Sequence, residues 1–268
     1  MAALFRNRLR KKLERKEKTY ETEQLMKEKR SEDYEAFEEV FDKPTLMTIY
    51  DLMNKGEIDE IYGAVAAGKE SKLYWGKRPD GTELAIKIFL TVAAEFRKGM
   101  LIYIAGDPRF KHVKRDPRSL IYTWARKEFR NLTEAYEAKV RVPQPFLVQN
   151  NVLLMEFIGE DGISAPLLRE VDLKNPEKIY KRLLLYMKRL YRKAKLVHGD
   201  LSEYNVMVWK NQPVIFDVSQ AVNLKHPNAR EFLIRDIENV NRYFKKVGVN
   251  VQSTEEILRK VVGATAFR

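Results

Sequence analysis

The chain has 268 residues, 44% of them hydrophobic, with no cysteine, three histidines and a formal net charge of +12. The missing cysteines exclude disulfides, thiolate nucleophiles and cysteine-ligated zinc, and His112, His198 and His226 are scattered without a metal-ligand spacing. There is enough apolar residue for a core, no apolar run of membrane-spanning length, and a basic N-terminus with no apolar segment behind it, which predicts a folded cytoplasmic protein with no membrane partner.

Residues 1–53 read as a charged helical extension. Eight basic residues between Arg6 and Lys18 face only Glu14 and Glu17, and an acidic run follows around Glu32 to Glu39. The segment is too short for a core of its own. Two readings stay open: a solvated helix face, or a nucleic-acid contact in which clustered cations release counterions from phosphates.

Residues 61–75, IYGAVAAGKESKLYW, predict strand, turn and strand, and the RPDG turn at 78–81 leads into the strand LAIKIF. The AGKES turn can lie over phosphates, offering backbone N–H groups, Lys69 and the Ser71 hydroxyl. Gly68 is its one glycine, so it has neither a glycine repeat nor the spacing of a Walker A loop. Lys87 is a cation in an apolar strand and needs an anion if buried. One candidate is a nucleotide's phosphates. The other is a carboxylate: in the helix expected over 119–139, Ile121, Trp124, Ala125, Leu132 and Ala135 form a stripe with Glu128 near its centre.

Residues 90–118 are basic, with Arg97, Lys98, Arg109, Lys111, Lys114, Arg115 and Arg118 against Asp107 and Asp116. This length predicts a mobile loop or one with a short helix of its own. Asp116 and Pro117 suit the N-cap and first turn of the next helix. VLLMEFI at 152–158 predicts a buried strand ended by Gly159 and Gly162, a helix over 177–195 carries Ile179, Leu183, Met187, Leu190 and Ala194 on one face, and two more are expected over 229–246 and 254–262. The second starts at a Ser253 and Glu256 capping box.

The stretch 196–208, LVHGDLSEYNVMV, carries the chemistry. Asp200 is followed five positions later by Asn205, and twelve residues further on Asp217 ends the strand VIFDV, with Lys210, Asn211 and Gln212 as the turn between two strands. This is the spacing of a phosphoryl-transfer loop. A carboxylate such as Asp200 orients an acceptor hydroxyl and takes its proton, while an amide and a carboxylate at one strand-loop corner suit Mg²⁺, a hard ion that takes oxygen ligands.

Taken together, GKES with Tyr74, AIK around Lys87, WARKEFRNL around Glu128, MEFIG at Met155, APLL at Ala165, LVHGDLSEYN and FDVSQAV resemble the RIO family of atypical protein kinases, most closely its RIO1 branch as found in archaea. The resemblance runs from about residue 61 to 244. It implies an α+β, small bilobal kinase-like fold with a truncated C-lobe: residues 1–53 as the helical extension, 54–158 as the N-lobe and 159–268 as the C-lobe.

It also implies Ser/Thr kinase and ATPase activity with ATP and Mg²⁺, Mn²⁺ being the alternative ion, and a role in maturing the small ribosomal subunit. By position, Lys87 would hold phosphates and pair with Glu128, Asp200 would be the base, and Asn205 and Asp217 the metal ligands. Gly68, Lys69 and Ser71 would lie against phosphate, and Met155, Glu156 and Ile158 against the adenine, the last two through their backbones. The resemblance further implies that Asp217 accepts a phosphoryl group in an ATPase step. The basic segments would meet ribosomal RNA, and Ser119 is a candidate self-phosphorylation site.

Gly199 stands where ordinary protein kinases have arginine and Ser219 where they have glycine, and 51 residues follow Asp217, too few for a large peptide-binding region. Two rival functions are a small-molecule kinase of the aminoglycoside or choline type and a nucleotide-switched module that binds pre-ribosomal RNA.

Overall fold

The computed structural model describes residues 41–68, 70–90, 94–110 and 116–263. Most of the basic extension and part of the basic loop, including Arg97, Lys98 and residues 111–115, therefore have no side chain described, and Lys69 lies outside the described residues. A first helix, α1, covers Lys43–Asn54. The described residues from Thr48 onward form one compact unit, to which the following description applies.

Five antiparallel strands make the main sheet in the order β1-β2-β3-β5-β4: β1 Glu60–Ala67, β2 Ser71–Lys77, β3 Glu83–Phe89, β4 Pro145–Gln149 and β5 Val152–Glu156. The sequence reading did not anticipate β4. It opens on Pro145, which a ladder tolerates at the first residue of an edge strand. In β3 the register sets Lys87 opposite Leu73 and Leu153, and Ala85 opposite Trp75 and Met155. Because side chains alternate, Lys87, Ala85 and Met155 share one face.

Between β3 and β4 the chain makes α2, Ala94–Ile104, a 3₁₀ turn at Pro108–Phe110, and α3, Pro117–Glu137. The loop thus has a helix of its own. Asp116 caps α3 by accepting the Ser119 N–H at 2.9 Å, with Pro117 in the first turn. Arg109 does not belong with the exposed cations. Its guanidinium bonds both Asp107 oxygens at 3.3 Å or less and Glu134 at 2.7 Å, and its side chain is buried, so it fastens the segment to α3 instead of offering charge to a partner.

After a small hairpin, β6 Gly159–Glu160 with β7 Ile163–Ser164, helix α4 runs over Pro176–Arg189 and widens into a π turn, Leu190–Ala194. Lys195 ends it in a left-handed conformation, φ 58°. β8 Leu196–Val197 pairs with β11 Val222–Asn223, and between them β9 Val206–Trp209 pairs with β10 Gln212–Ile215. The β9–β10 turn is two residues, Lys210 and Asn211, both at positive φ, while Gln212 already belongs to β10. That two-residue turn matches the right-handed twist of the strands.

Helices α5, Ala229–Lys246, and α6, Thr254–Val262, end the described chain, and the Ser253–Glu256 capping box opens α6. One buried apolar cluster joins β3, α3, α4, α5 and α6, from Ala85 and Phe89 through Trp124, Leu183 and Ile215 to Phe244 and Val261. Sheet and helices share one core, so side chains projecting from both are held at fixed separation.

Candidate active site

Glu128 is the acid in the middle of the α3 stripe, and the structure gives it Lys87 as partner. The Lys87 ammonium donates to both Glu128 oxygens, at 2.8 and 2.7 Å, and to Asp217 Oδ1 at 3.0 Å. Glu128 is 1% exposed at its side chain and Asp217 49%, so the lysine spans from core to surface. Burial works against its charge, but Asp217 and Glu128 outweigh burial and hold the ammonium above the usual lysine range. Burial also pushes Glu128 up, to about 7, with Lys87 pulling it back.

Asp217 sits at φ 53°, a left-handed conformation that aspartate tolerates better than most residues. Its Oδ1 takes the Lys87 ammonium and the Ser219 hydroxyl, the latter at 3.1 Å, and among the described residues Oδ2 has no hydrogen bond. The packed groups around this half-exposed carboxyl favour its neutral form, yet Lys87 and Ser219 prevail and hold it below its ordinary value.

The β9–β10 hairpin brings Asn205 back to this point, since Phe216 N–H donates to Asn205 C=O at 3.0 Å. The Asn205 amide latches the loop: Oδ1 accepts from Ser202 N–H at 2.8 Å and Nδ2 donates to Asp200 C=O at 2.5 Å. Its oxygen keeps a second lone pair. Asp200 is exposed, and among the described residues its carboxylate has no hydrogen bond. Burial of its surroundings raises its pKa, Arg235 lowers it and Asp217 raises it. Burial pushes His198 down to about 4, so this ring is a neutral packing group.

Gly199 answers the question posed by the missing arginine. It lies at φ 81°, and a Cβ there would meet the Gln220 carbonyl at 3.3 Å. Two helix residues that the sequence reading missed anchor this loop. The buried Asp236 accepts the N–H groups of Gly199 and Leu201 at 2.9 and 2.8 Å, and Arg235 donates to the Gly199 carbonyl. Burial pushes Asp236 up to about 7 against those bonds. The signal was present in the sequence: Asp236 interrupts the apolar face formed by Phe232, Leu233, Ile237 and Val240, as Glu128 interrupts that of α3.

The remaining expected residues lie on or beside β2 and β5 and, for Ser119, at the start of α3. The β1–β2 turn closes by Gly68 N–H donating to Ser71 C=O at 2.9 Å, and Ser71 opens β2 opposite Phe89. Met155 is buried beside Ala85. The Glu156 carboxylate forms a two-pronged pair with Arg141, both bonds 2.6 Å, while its N–H donates to Gln144 C=O at 2.8 Å. Ile158 C=O accepts from Ala165 N–H at 2.8 Å, and among the described residues the Ile158 N–H has no partner. Ser119 is half-buried in the first turn of α3.

The donor set fits a hard divalent cation: one carboxylate oxygen without a partner and one amide oxygen, with phosphate and water to complete the shell. Among the described residues no group of three or more acidic or imidazole side chains could hold a metal unaided. No described helix is long and apolar enough to cross a membrane.

Comparison with known proteins shows the family of this chain. The RIO domain family model, RIO1, matches residues 72–257. The RIO-type serine/threonine-protein kinase Rio1 of Haloferax volcanii is 42% identical over 225 residues, covering 84% of this chain and 77% of its own length. The serine/threonine-protein kinase RIO1 of Caenorhabditis elegans is 39% identical over 96% of this chain, which spans about half, 51%, of that protein. A solved structure of the Rio2 kinase of Chaetomium thermophilum, described as an ADP/Mg²⁺-phosphoaspartate complex, shares the fold with a TM-score of 0.60 at 22% identity, over 80% of this chain and 65% of that one. The chain belongs to the RIO domain family of serine/threonine protein kinases.

Proposed function

We propose that the protein transfers the γ-phosphoryl group of ATP, with Mg²⁺ or Mn²⁺ as the ion, to serine or threonine hydroxyls including its own, and that it also hydrolyses ATP. The observation that carries this reading is the Lys87 ammonium held between Glu128 and Asp217 at 3.0 Å or less, with Asp200 and Asn205 on the adjoining loop. A triphosphate needs a fixed cation for its charge and an acceptor group oriented in line. Lys87 supplies the first, and Asp200, whose carboxylate no described residue hydrogen-bonds, supplies the second.

In the transfer step the acceptor oxygen bonds to the γ-phosphorus, the bond to the β–γ bridging oxygen breaks, ADP leaves, and the hydroxyl proton passes to Asp200. The raised pKa of Asp200 favours that proton transfer. Asn205 and Asp217 would hold the metal ion, which when bound neutralises phosphate charge. Residues 54–158 would cover the nucleotide and 159–268 present the acceptor side. Gly68, Lys69 and Ser71 would approach the phosphates, and Met155, Glu156 and the Ile158 N–H the adenine.

The relative described as a phosphoaspartate complex supports a second route for water as final acceptor. Asp217 Oδ2 would attack the γ-phosphorus, ADP would leave, and water would then release phosphate from the aspartyl group. In the cell we place the protein in the cytoplasm, acting on the maturing small ribosomal subunit and its RNA. The net charge of +12 supports a polyanionic partner. Incubation with γ-labelled ATP and mapping of the labelled residue tests the assignment: label on Ser119 and loss of turnover in Asp200→Ala support it, and equal turnover in that variant refutes it.

A further inference from the structure

Helix α3 reaches Asp217 from two sides. Glu128 acts through Lys87 on the carboxylate. Lys127 and Asn131, one turn apart, act on the backbone immediately after it. The Lys127 ammonium donates to Ser219 C=O at 2.7 Å and to Ala221 C=O, and Asn131 Nδ2 donates to Val218 C=O at 2.8 Å and Ala221 C=O at 3.0 Å. Three carbonyls in four residues are thus turned toward one face of α3.

Lys127 is fully buried, lies 5.3 Å from the Trp124 ring and makes no salt bridge among the described residues. Burial pushes its ammonium down to about 7, with Arg109 adding to that and Asp107, Glu128 and Glu134 opposing it. An apolar side chain of similar length would fill this volume without that penalty. What lysine adds is a set of donors aimed at carbonyls. Those carbonyls belong to the turn that leaves Asp217 at φ 53°, a backbone state that persists only when its surroundings fix it.

We propose that Lys127, together with Asn131, is a positioning residue that clasps the backbone of residues 218–221 so that the left-handed turn at Asp217 presents its carboxylate beside Lys87. The inference rests on the phosphoryl-transfer reading above and extends it to two residues that touch neither nucleotide nor metal. Glu128 and Lys127 are neighbours in sequence, so any shift of α3 moves the carboxylate's ion pair and its backbone support together. The helix then sets both the charge and the direction of Asp217.

The test uses the full chain with Lys127→Met, which keeps length and loses the donors, and Asn131→Ala, which leaves the buried cation in place. Turnover is measured against ATP and against Mg²⁺ below each variant's thermal transition, and amide exchange of residues 218–221 is followed without nucleotide or metal. The expected result for Lys127→Met is a turnover about 10- to 100-fold lower, Mg²⁺ half-saturation raised about fivefold or more and KM for ATP within about threefold of native, as for loss of a group supporting a metal ligand. Exchange at residues 218–221 should be about tenfold faster.

Asn131→Ala should show the same pattern, weaker, and it decides the matter if Lys127→Met does not fold. A lower thermal midpoint with unchanged Mg²⁺ dependence and turnover would overturn the proposal, because it would make the pair ordinary core residues. Failure of both variants to fold would overturn it for the same reason. A native protein without ATP turnover overturns the phosphoryl-transfer reading itself, whereas an active native protein with an indistinguishable Lys127→Met variant overturns the clasp alone.

Discussion

Lys87 and Glu128, 41 positions apart, meet through two hydrogen bonds of 2.8 and 2.7 Å, and the same ammonium reaches Asp217 at 3.0 Å. One cation therefore ties a central strand, the helix packed on it and the end of a distant hairpin into a single site.

Removing that cation should abolish chemistry more than fold. In Lys87→Met, turnover should fall about 100-fold or more, since a charge aimed at the transferring group is lost. Glu128, already pushed up to about 7 by burial, can take a proton instead of staying an unpaired buried charge. An acid whose folded pKa is raised gives stability that is present below its unfolded value, 4.5, and is lost as pH rises through the folded one. Without Lys87 the folded pKa should climb further, so the variant's thermal midpoint should fall more steeply than native between about pH 5 and 8. Glu128→Gln should remove that slope.

Asp236 gives a second dependence of the same sign. Its carboxyl is pushed from 3.8 to about 7 by burial, with Leu201, Gly199 and Arg235 opposing. The stability it contributes is present below 3.8 and is lost as pH rises toward 7. Asp236→Asn should flatten the midpoint against pH over that window. It should also lower turnover, because one of the two N–H groups of the Asp200 loop loses its acceptor. Calorimetry across pH and a turnover assay check both.

Asp200→Asn should lower turnover by about 10²- to 10⁴-fold while leaving the thermal midpoint and nucleotide affinity near native, because it removes a proton acceptor and no core group. Equilibrium binding of a non-hydrolysable ATP analogue beside the turnover assay separates the two effects.

The Lys87–Glu128 pair was legible because each residue is a lone charge in an apolar pattern, one with period two and one with period 3.6. The Asp200, Asn205 and Asp217 spacing was legible because a short hairpin fixes where its ends meet. The anchoring by Asp236 and the clasp by Lys127 and Asn131 were not read, although both interrupt apolar helix faces in the same way. Their partners are backbone groups, which every residue carries, so composition and spacing give no clue to which ones are engaged. Strand β4 was hidden by its opening proline, and Arg109 looked like one more exposed cation because its partners, Asp107 and Glu134, come together only through the path of the loop.

That burial of Arg109 has its own consequence. Arg109→Ala leaves the fully buried Asp107 carboxylate without its cation and should destabilise the fold by about 3 kcal/mol or more, measurable by denaturant unfolding. An exposed nucleic-acid contact replaced in the same way would leave stability within about 0.5 kcal/mol of native.

The most direct test of the site is turnover and self-labelling with γ-labelled ATP and Mg²⁺ for the native protein beside Asp217→Ala, with thermal unfolding of both. The site described above predicts label and turnover in the native protein, loss of nearly all of both in the variant, and a midpoint within a few degrees of native. Equal turnover in a folded Asp217→Ala protein would contradict it, because Lys87 and Glu128 would then converge on a residue the chemistry does not need.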